Sequence, residues 1–217
     1  MTKNNNTWND YYAKQEFSLS NIFLHYPYLF RAISFRPKRI LEIGCGPAQH
    51  SLFIKNISPK TAVSVLDLDQ LLLKKVKKVA SHNIEGFYNI DILDRKAISK
   101  LPKYDLIISQ GLLEHFKDIE FLKIIHNFST VSKRMIFSIP SNFYQNQDFG
   151  NEILRSKQDI QRLLEGTGYN FNIRNYPLDI GIRTKMNLIK QNKFDFFYSI
   201  YFLLFISCHI LVEIDYQ

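Results

Sequence analysis

The feature that most constrains this chain is a strand that runs into a glycine turn and then into a helix. Residues Arg39 to Ile43 (RILEI) form an apolar run with Pro37 before it and Gly-Cys-Gly-Pro after it, the signature of a buried strand. From Ala48 the period becomes helical through Leu52, Phe53 and Ile57, which places Pro47 at the first helical position, where its missing N–H has no consequence. Glu42, Gly44, Gly46 and Ala48 occupy alternate positions across the turn. Glycine there lets the backbone approach a ligand that a Cβ would block. The helix that follows aims N–H donors at the turn, and these favour an anionic group, either a carboxylate or a phosphate.

The strand-helix alternation then repeats. Ala62 to Leu66 reads as a strand ending at Asp67, and Asp69 can cap a helix with Leu72, Val76, Val79 and Ala80 on its apolar side. Strands follow near Gly86 to Ile90, Tyr104 to Ser109 and Arg134 to Ile139, with a helix from Asp118 carrying Phe121, Ile124, Ile125 and Phe128. Ser156 and Asp159 form a capping-box pattern before Ile160, Leu163 and Leu164, and Gly166 and Gly168 supply the stop. Tyr169 to Tyr176 is again strand-like. Strands separated by helices predict an α/β, doubly wound, parallel sheet, because parallel neighbours need crossovers and the crossovers cover both faces.

In such a sheet, ligands bind beyond the carboxyl ends of the strands, where strand order reverses. Asp67 lies 23 residues after Gly44, near the spacing at which an acidic residue accepts hydrogen bonds from ribose hydroxyls. A cofactor containing a nucleoside is therefore expected. A dinucleotide fingerprint would need glycine at position 49, where this chain has Gln49, so a nicotinamide oxidoreductase is the weaker reading.

Taken together, these residues resemble the class I S-adenosylmethionine-dependent methyltransferases over about residues 35 to 176. The segment LEIGCGPA is similar to the first motif of that family, acidic-x-Gly-x-Gly-x-Gly, with Ala48 in the last glycine position. Asp67 in VSVLDLDQ matches the ribose-binding acid, Asp91 in YNIDIL the residue that holds the adenine amino group, and YDLIISQGLLEHF the fourth-strand motif. SIPSN and RSKQDIQRLLEGTGYNF look like later family segments, and the flavour is that of the quinone-biosynthesis, small-molecule branch. The resemblance implies a Rossmann-like, seven-stranded, mostly parallel sheet with an antiparallel last strand. It also implies S-adenosyl-L-methionine as cofactor, held by Glu42, Gly44, Cys45, Gly46, Asp67, Leu68, Asp91, Ile92 and Gln110.

The reaction implied is in-line displacement at a sulfonium methyl group, whose neutral leaving group needs no acid, so catalysis rests on alignment and exclusion of water. His115 is the candidate general base, set against the plainer reading of a structural histidine; His50 is a weaker candidate. Trp8, Tyr11 and Tyr12 are expected either to fold over the cofactor or simply to pack in the core. The lysines at 74, 75, 77 and 78 read as a solvated helix face. The expected acceptor is a small molecule or a lipid-linked one. SQGLLEH contains no Asn- or Asp-Pro-Pro-aromatic loop, and neither Cys45 nor Cys208 is placed as a cytosine-attacking nucleophile, so DNA enzymes are disfavoured. An RNA methyltransferase stays open because of the net charge of +8, as does a non-catalytic binding module.

The division expected along the chain is a helical cap at 1–36, a methyltransferase core at 37–182, an apolar and aromatic insertion at 183–204 and a final edge strand at 205–217. Phe196 to Val212 is 17 residues without a formal charge, just short of a membrane span. The period-two alternation from Ile206 to Tyr216 favours a strand instead, which leaves FDFFYSIYF in the insertion to cover a pocket, a partner or a lipid surface. Two distant cysteines suit neither a disulfide framework nor a zinc site, and no secretory signal opens the chain, so a cytoplasmic protein is expected, with peripheral membrane contact through 183–204 and a tail anchor through 196–212 as open alternatives.

Overall fold

The computed structural model describes residues 19–144, 151–176, 189–190 and 207–216. Trp8, Tyr11 and Tyr12, and all of 183–204 except 189–190, lie outside the described residues. Two short helices, α1 (Leu19–Leu24) and α2 (Tyr26–Ser34), precede β1 (Arg39–Ile43). Then follow α3 (Gln49–Ile57), β2 (Ala62–Asp67), α4 (Gln70–Ala80), β3 (Gly86–Asn89), α5 (Arg95–Ile98) and β4 (Leu106–Gln110). A 3-10 turn at Leu113–His115 leads to α6 (Asp118–Ser129), β5 (Arg134–Pro140), α7 (Lys157–Glu165), β6 (Asn170–Asn175) and β7 (His209–Asp215).

These strands form one seven-stranded sheet in the order β3-β2-β1-β4-β5-β7-β6. Strand order reverses between β1 and β4, which pair in parallel as Ile40 with Leu106 through Glu42 with Ile108. Only β7 runs against its neighbours, antiparallel to both β5 and β6. The reversed seventh strand implied by the resemblance is present, but it is not the edge strand expected for 205–217. It threads between β5 and β6, and β6 takes the edge, with Ile173 buried and Phe171 half-buried between exposed polar residues. Leu211 to Ile214 are all buried because helices cover both faces of an interior strand, so residues 210–212 belong to the sheet and not to a membrane helix. Among the described residues no helix is long and apolar enough to cross a membrane.

Alternation along the strands divides the core. Leu41, Ile43, Ile107, Met135, Phe137, Val212 and Ile214 face α5, α6 and α7, where Phe121 packs edge-on against Phe137 at 5.6 Å between ring centres. Ile40, Val63, Leu106, Ile108, Ile136 and Leu211 face α1, α2 and α3. Each large side chain so buried contributes about 1.5–3 kcal/mol. On α4 the buried row is Leu72, Leu73, Val76 and Ala80, while Val79, expected on the apolar side, is exposed. Asp69 caps that helix as expected, accepting from the amides of Leu71 and Leu72. Tyr104 stands outside β4, bridging to Ser132 before the continuous ladder begins.

Candidate functional site

Three left-handed residues in alternation shape the turn after β1: Gly44 at φ +62°, Gly46 at +51° and Ala48 at +57°. At Gly44 a side chain is disfavoured by that dihedral, and a Cβ would stand 2.7 Å from Leu112 Cδ2, which would have to shift. Ala48 is the N-cap of α3, so the first helical residue is Gln49, two positions after Pro47, which lies in the turn and not at the first helical position. The left-handed cap displaces the helix start, and Ala48 offers no side-chain acceptor to close it. Glu42 supplies that acceptor from the preceding strand. Its Oε2 accepts from the Ser51 amide at 3.1 Å and from the Ser51 hydroxyl, while Oε1 stands 3.2 Å from His50 Nδ1.

The neighbouring strand braces the turn from its other side. Asp67, the last residue of β2, accepts from the Gly46 amide at 3.0 Å through Oδ2 and from the Asp69 amide at 2.9 Å through Oδ1. Burial raises its carboxyl above the usual aspartate value, and those two amides oppose the shift. A carboxylate has about four lone-pair directions, more than these amides use, so acceptor capacity remains for hydroxyl donors. Cys45 is buried against α4, and burial together with Glu42 and Asp67 pushes its thiol well up, which keeps it protonated and inert.

A cavity of about 550 Å³ opens beside this turn at the carboxyl ends of β1 to β4. Gly44, Asp67, Leu68, Asp91, Ile92 and His115, all expected at the site, line it together. Asp91 is exposed at the wall with Oδ1 accepting from the Leu93 amide at 2.8 Å. Glu42, Cys45, Gly46 and Gln110 do not line it: the first three build the turn behind the wall, and Gln110 ends β4 one residue before the lining residue Gly111. The apolar wall itself, Ile90, Leu93, Leu112 and Phe116, was not singled out by the sequence reading, although each is one or two residues from a motif position.

His115 closes the far side. Its Nδ1 lies 2.6 Å from Asn151 Oδ1, and burial lowers its pKa, so the ring is neutral at pH 7. The segment holding Asn151 is pinned to the same loop: Ile153 donates its amide to the Glu114 carbonyl at 2.7 Å, and buried Arg155 donates to the Phe116 carbonyl and to Asp118.

On the opposite sheet face, beside the glycine turn, sits a buried cluster of rings. His25 meets His50 at 5.6 Å and His209 at 5.3 Å, Tyr28 meets His50 at 5.8 Å, and Tyr176 stacks on His209 at 5.5 Å. The Tyr176 hydroxyl is bonded to that of Ser138 on β5. Apart from His50 these residues escaped the sequence reading, because they come from four separate segments and no local spacing joins them.

With this geometry in hand, the likeness to known proteins is informative. Residues 41–133 match the family model described as methyltransferase domain. No curated protein sequence matches the chain. Among solved structures, the methyltransferase domain of the bacterial protein CtHen1-C is 14% identical with a TM-score of 0.63, covering 91% of this chain and 98% of its own. The plantazolicin methyltransferase BpumL, in complex with S-adenosylhomocysteine, is 14% identical with a TM-score of 0.63, covering 97% and 89%. Magnesium protoporphyrin IX methyltransferase from Synechocystis PCC 6803, with bound S-adenosylmethionine, is 14% identical with a TM-score of 0.58, covering 96% and 89%. Residues 41–133 are a methyltransferase domain, and the chain has the fold of the class I S-adenosylmethionine-dependent methyltransferases.

Proposed function

We propose that the chain transfers a methyl group from S-adenosylmethionine to a small-molecule acceptor. The observation that carries this reading is the cavity at the switch point, with the Asp67 carboxylate, Asp91 beyond β3 and a wall that is apolar apart from these two, Asp69 and His115. Those are the three surfaces a nucleoside sulfonium calls for: an acceptor for the ribose hydroxyls, a partner for the base and a dry wall. When bound, the cofactor supplies an electrophilic methyl group on a leaving group that needs no acid.

The chain's own residues do the rest. Asp67 holds the sugar through its remaining acceptor capacity, and Gly44, lacking a Cβ, lets the ligand approach the backbone. Ile90, Ile92, Leu112 and Phe116 keep water from the reacting centre. His115, neutral and oriented by Asn151, accepts the acceptor's proton where one must leave. The structural neighbours include small-molecule enzymes such as the mitomycin 7-O-methyltransferase MmcR, and that likeness of fold supports an acceptor of similar size.

Calorimetry with S-adenosylhomocysteine on the wild type and on Asp67→Ala tests the cofactor half. The wild type should bind and the variant should bind much more weakly; a folded wild type that does not bind ends the proposal. Turnover of radiolabelled cofactor with a panel of small acceptors and with RNA tests the other half, and transfer to RNA alone would overturn the small-molecule assignment.

A further inference from the structure

At the amino edge of the sheet, opposite the cofactor cavity, a second cavity of about 390 Å³ gathers an excess of positive charge. The turn from α2 to β1 brings Arg36 and Lys38 to it, the start of β5 brings Lys133 and Arg134, and Asp105 and Asp215 are its two carboxylates. Four cations against two anions leave a net charge of +2 on the walls. Both carboxylates are already engaged. Asp105 accepts from the amides of Lys38 and Arg39 at 2.9 and 3.0 Å, and Asp215 accepts from Arg134 at 2.8 Å. Arg36, Lys38 and Lys133 make no ion pair among the described residues.

The cleft is also held in shape. The guanidinium groups of Arg31 and Arg134 both lie over the Phe35 ring, at 4.2 and 4.1 Å from its centre, a contact that holds Arg134 at the wall. Arg36 adopts φ +49°, a left-handed conformation that costs a non-glycine residue about 1–2 kcal/mol and that gathers at ligand sites.

We propose that this amino-edge cleft is a second ligand site, which takes a phosphate dianion, free or as a phosphomonoester. The excess of two positive charges matches a dianion, and a planar guanidinium beside mobile ammonium groups suits tetrahedral oxygens. The volume is at the low end for ligand pockets, enough for a phosphate and a small ester but not for a dinucleotide. A five-residue strand separates the two rims by about 17 Å, so the site does not depend on the methyl-transfer reading.

The test is calorimetry at low ionic strength on the full chain, with inorganic phosphate and with glycerol phosphate. The wild type should bind at least one of them, and the double variant Lys38→Ala/Lys133→Ala, at two exposed positions, should lose about tenfold or more in affinity. Lys133→Gln alone should lose part of it. The control Lys74→Ala/Lys75→Ala, exposed on α4, should bind as the wild type does, and S-adenosylhomocysteine affinity should be the same in every variant. Tighter binding of the ester assigns the site to a phosphomonoester, and equal binding to free phosphate. No binding by the folded wild type, or equal losses in the cleft and α4 variants, would overturn the proposal.

Discussion

Glu42 and Ser51 are nine residues apart, and the carboxylate of the first holds both the amide and the hydroxyl of the second. The first turn of α3 is thus closed by the strand before it and not by its own N-cap. Since β1 and α3 flank the glycine turn, this clasp sets the turn's shape. Glu42→Ala should destabilise the protein by about 1–3 kcal/mol, because it leaves a buried amide without its acceptor. Glu42→Gln, which keeps one acceptor oxygen, should cost less. Denaturant titration decides, and an unchanged midpoint for the alanine variant would mean that the helix start is held by other means.

Gly44→Ala meets both a left-handed backbone and Leu112. We expect a stability loss of about 1–3 kcal/mol and loss of S-adenosylhomocysteine binding. Pairing it with Leu112→Ala removes the clash but not the dihedral strain, so the double variant should recover only part of the stability. Thermal melts of the three proteins measure the two effects separately.

Burial raises the Asp67 carboxyl above its ordinary 3.8, so the folded state holds that proton more tightly than the unfolded chain does. Its contribution to folding is fully present below pH 3.8 and is lost as pH rises through the folded value. Cofactor affinity should move the other way, increasing as the carboxylate forms to accept ribose hydroxyls. Asp67→Asn should weaken binding by about 10- to 100-fold, corresponding to about 1.5–3 kcal/mol for a hydrogen bond to a charged group, and flatten the pH dependence. Calorimetry across that pH range checks both.

For His115, whose pKa lies below the ordinary 6.5, the neutral ring is favoured by folding. Its stability contribution is present above pH 6.5 and is lost as pH falls through that value and below. If it takes the acceptor's proton, His115→Ala should lower kcat by about 10²- to 10⁴-fold and abolish the acidic limb of the rate profile, with little change in cofactor affinity. Asn151→Ala should give a smaller loss. A kcat that survives His115→Ala would leave the histidine a purely structural role.

Much of the architecture is legible in the sequence, because β1, β2, β4 and β5 are apolar runs punctuated by proline, glycine or aspartate. The capping box at Ser156 and Asp159 also forms as read. Residues whose position follows from the end of a strand, such as Asp67 and Asp91, reach the cavity together. What local pattern does not carry is conformation against propensity and order across the sheet. Alanine seldom adopts a left-handed backbone, so nothing in Ala48 signals the shifted start of α3. On α4, Leu73 and Val79 both fit a helical repeat, and only packing selects the first. The slot of β7 between β5 and β6 depends on partners about 75 residues back for one neighbour and about 40 for the other, and strand alternation is silent about that.

That slot also dictates an order of assembly. Until residues 209–215 have been synthesised, β6 lacks its native partner and the outer side of β5 is an open row of amides and carbonyls. A nascent chain paused before that point would carry a sticky flank suited to chaperones or to its own copies, and release of the final strand would seal it.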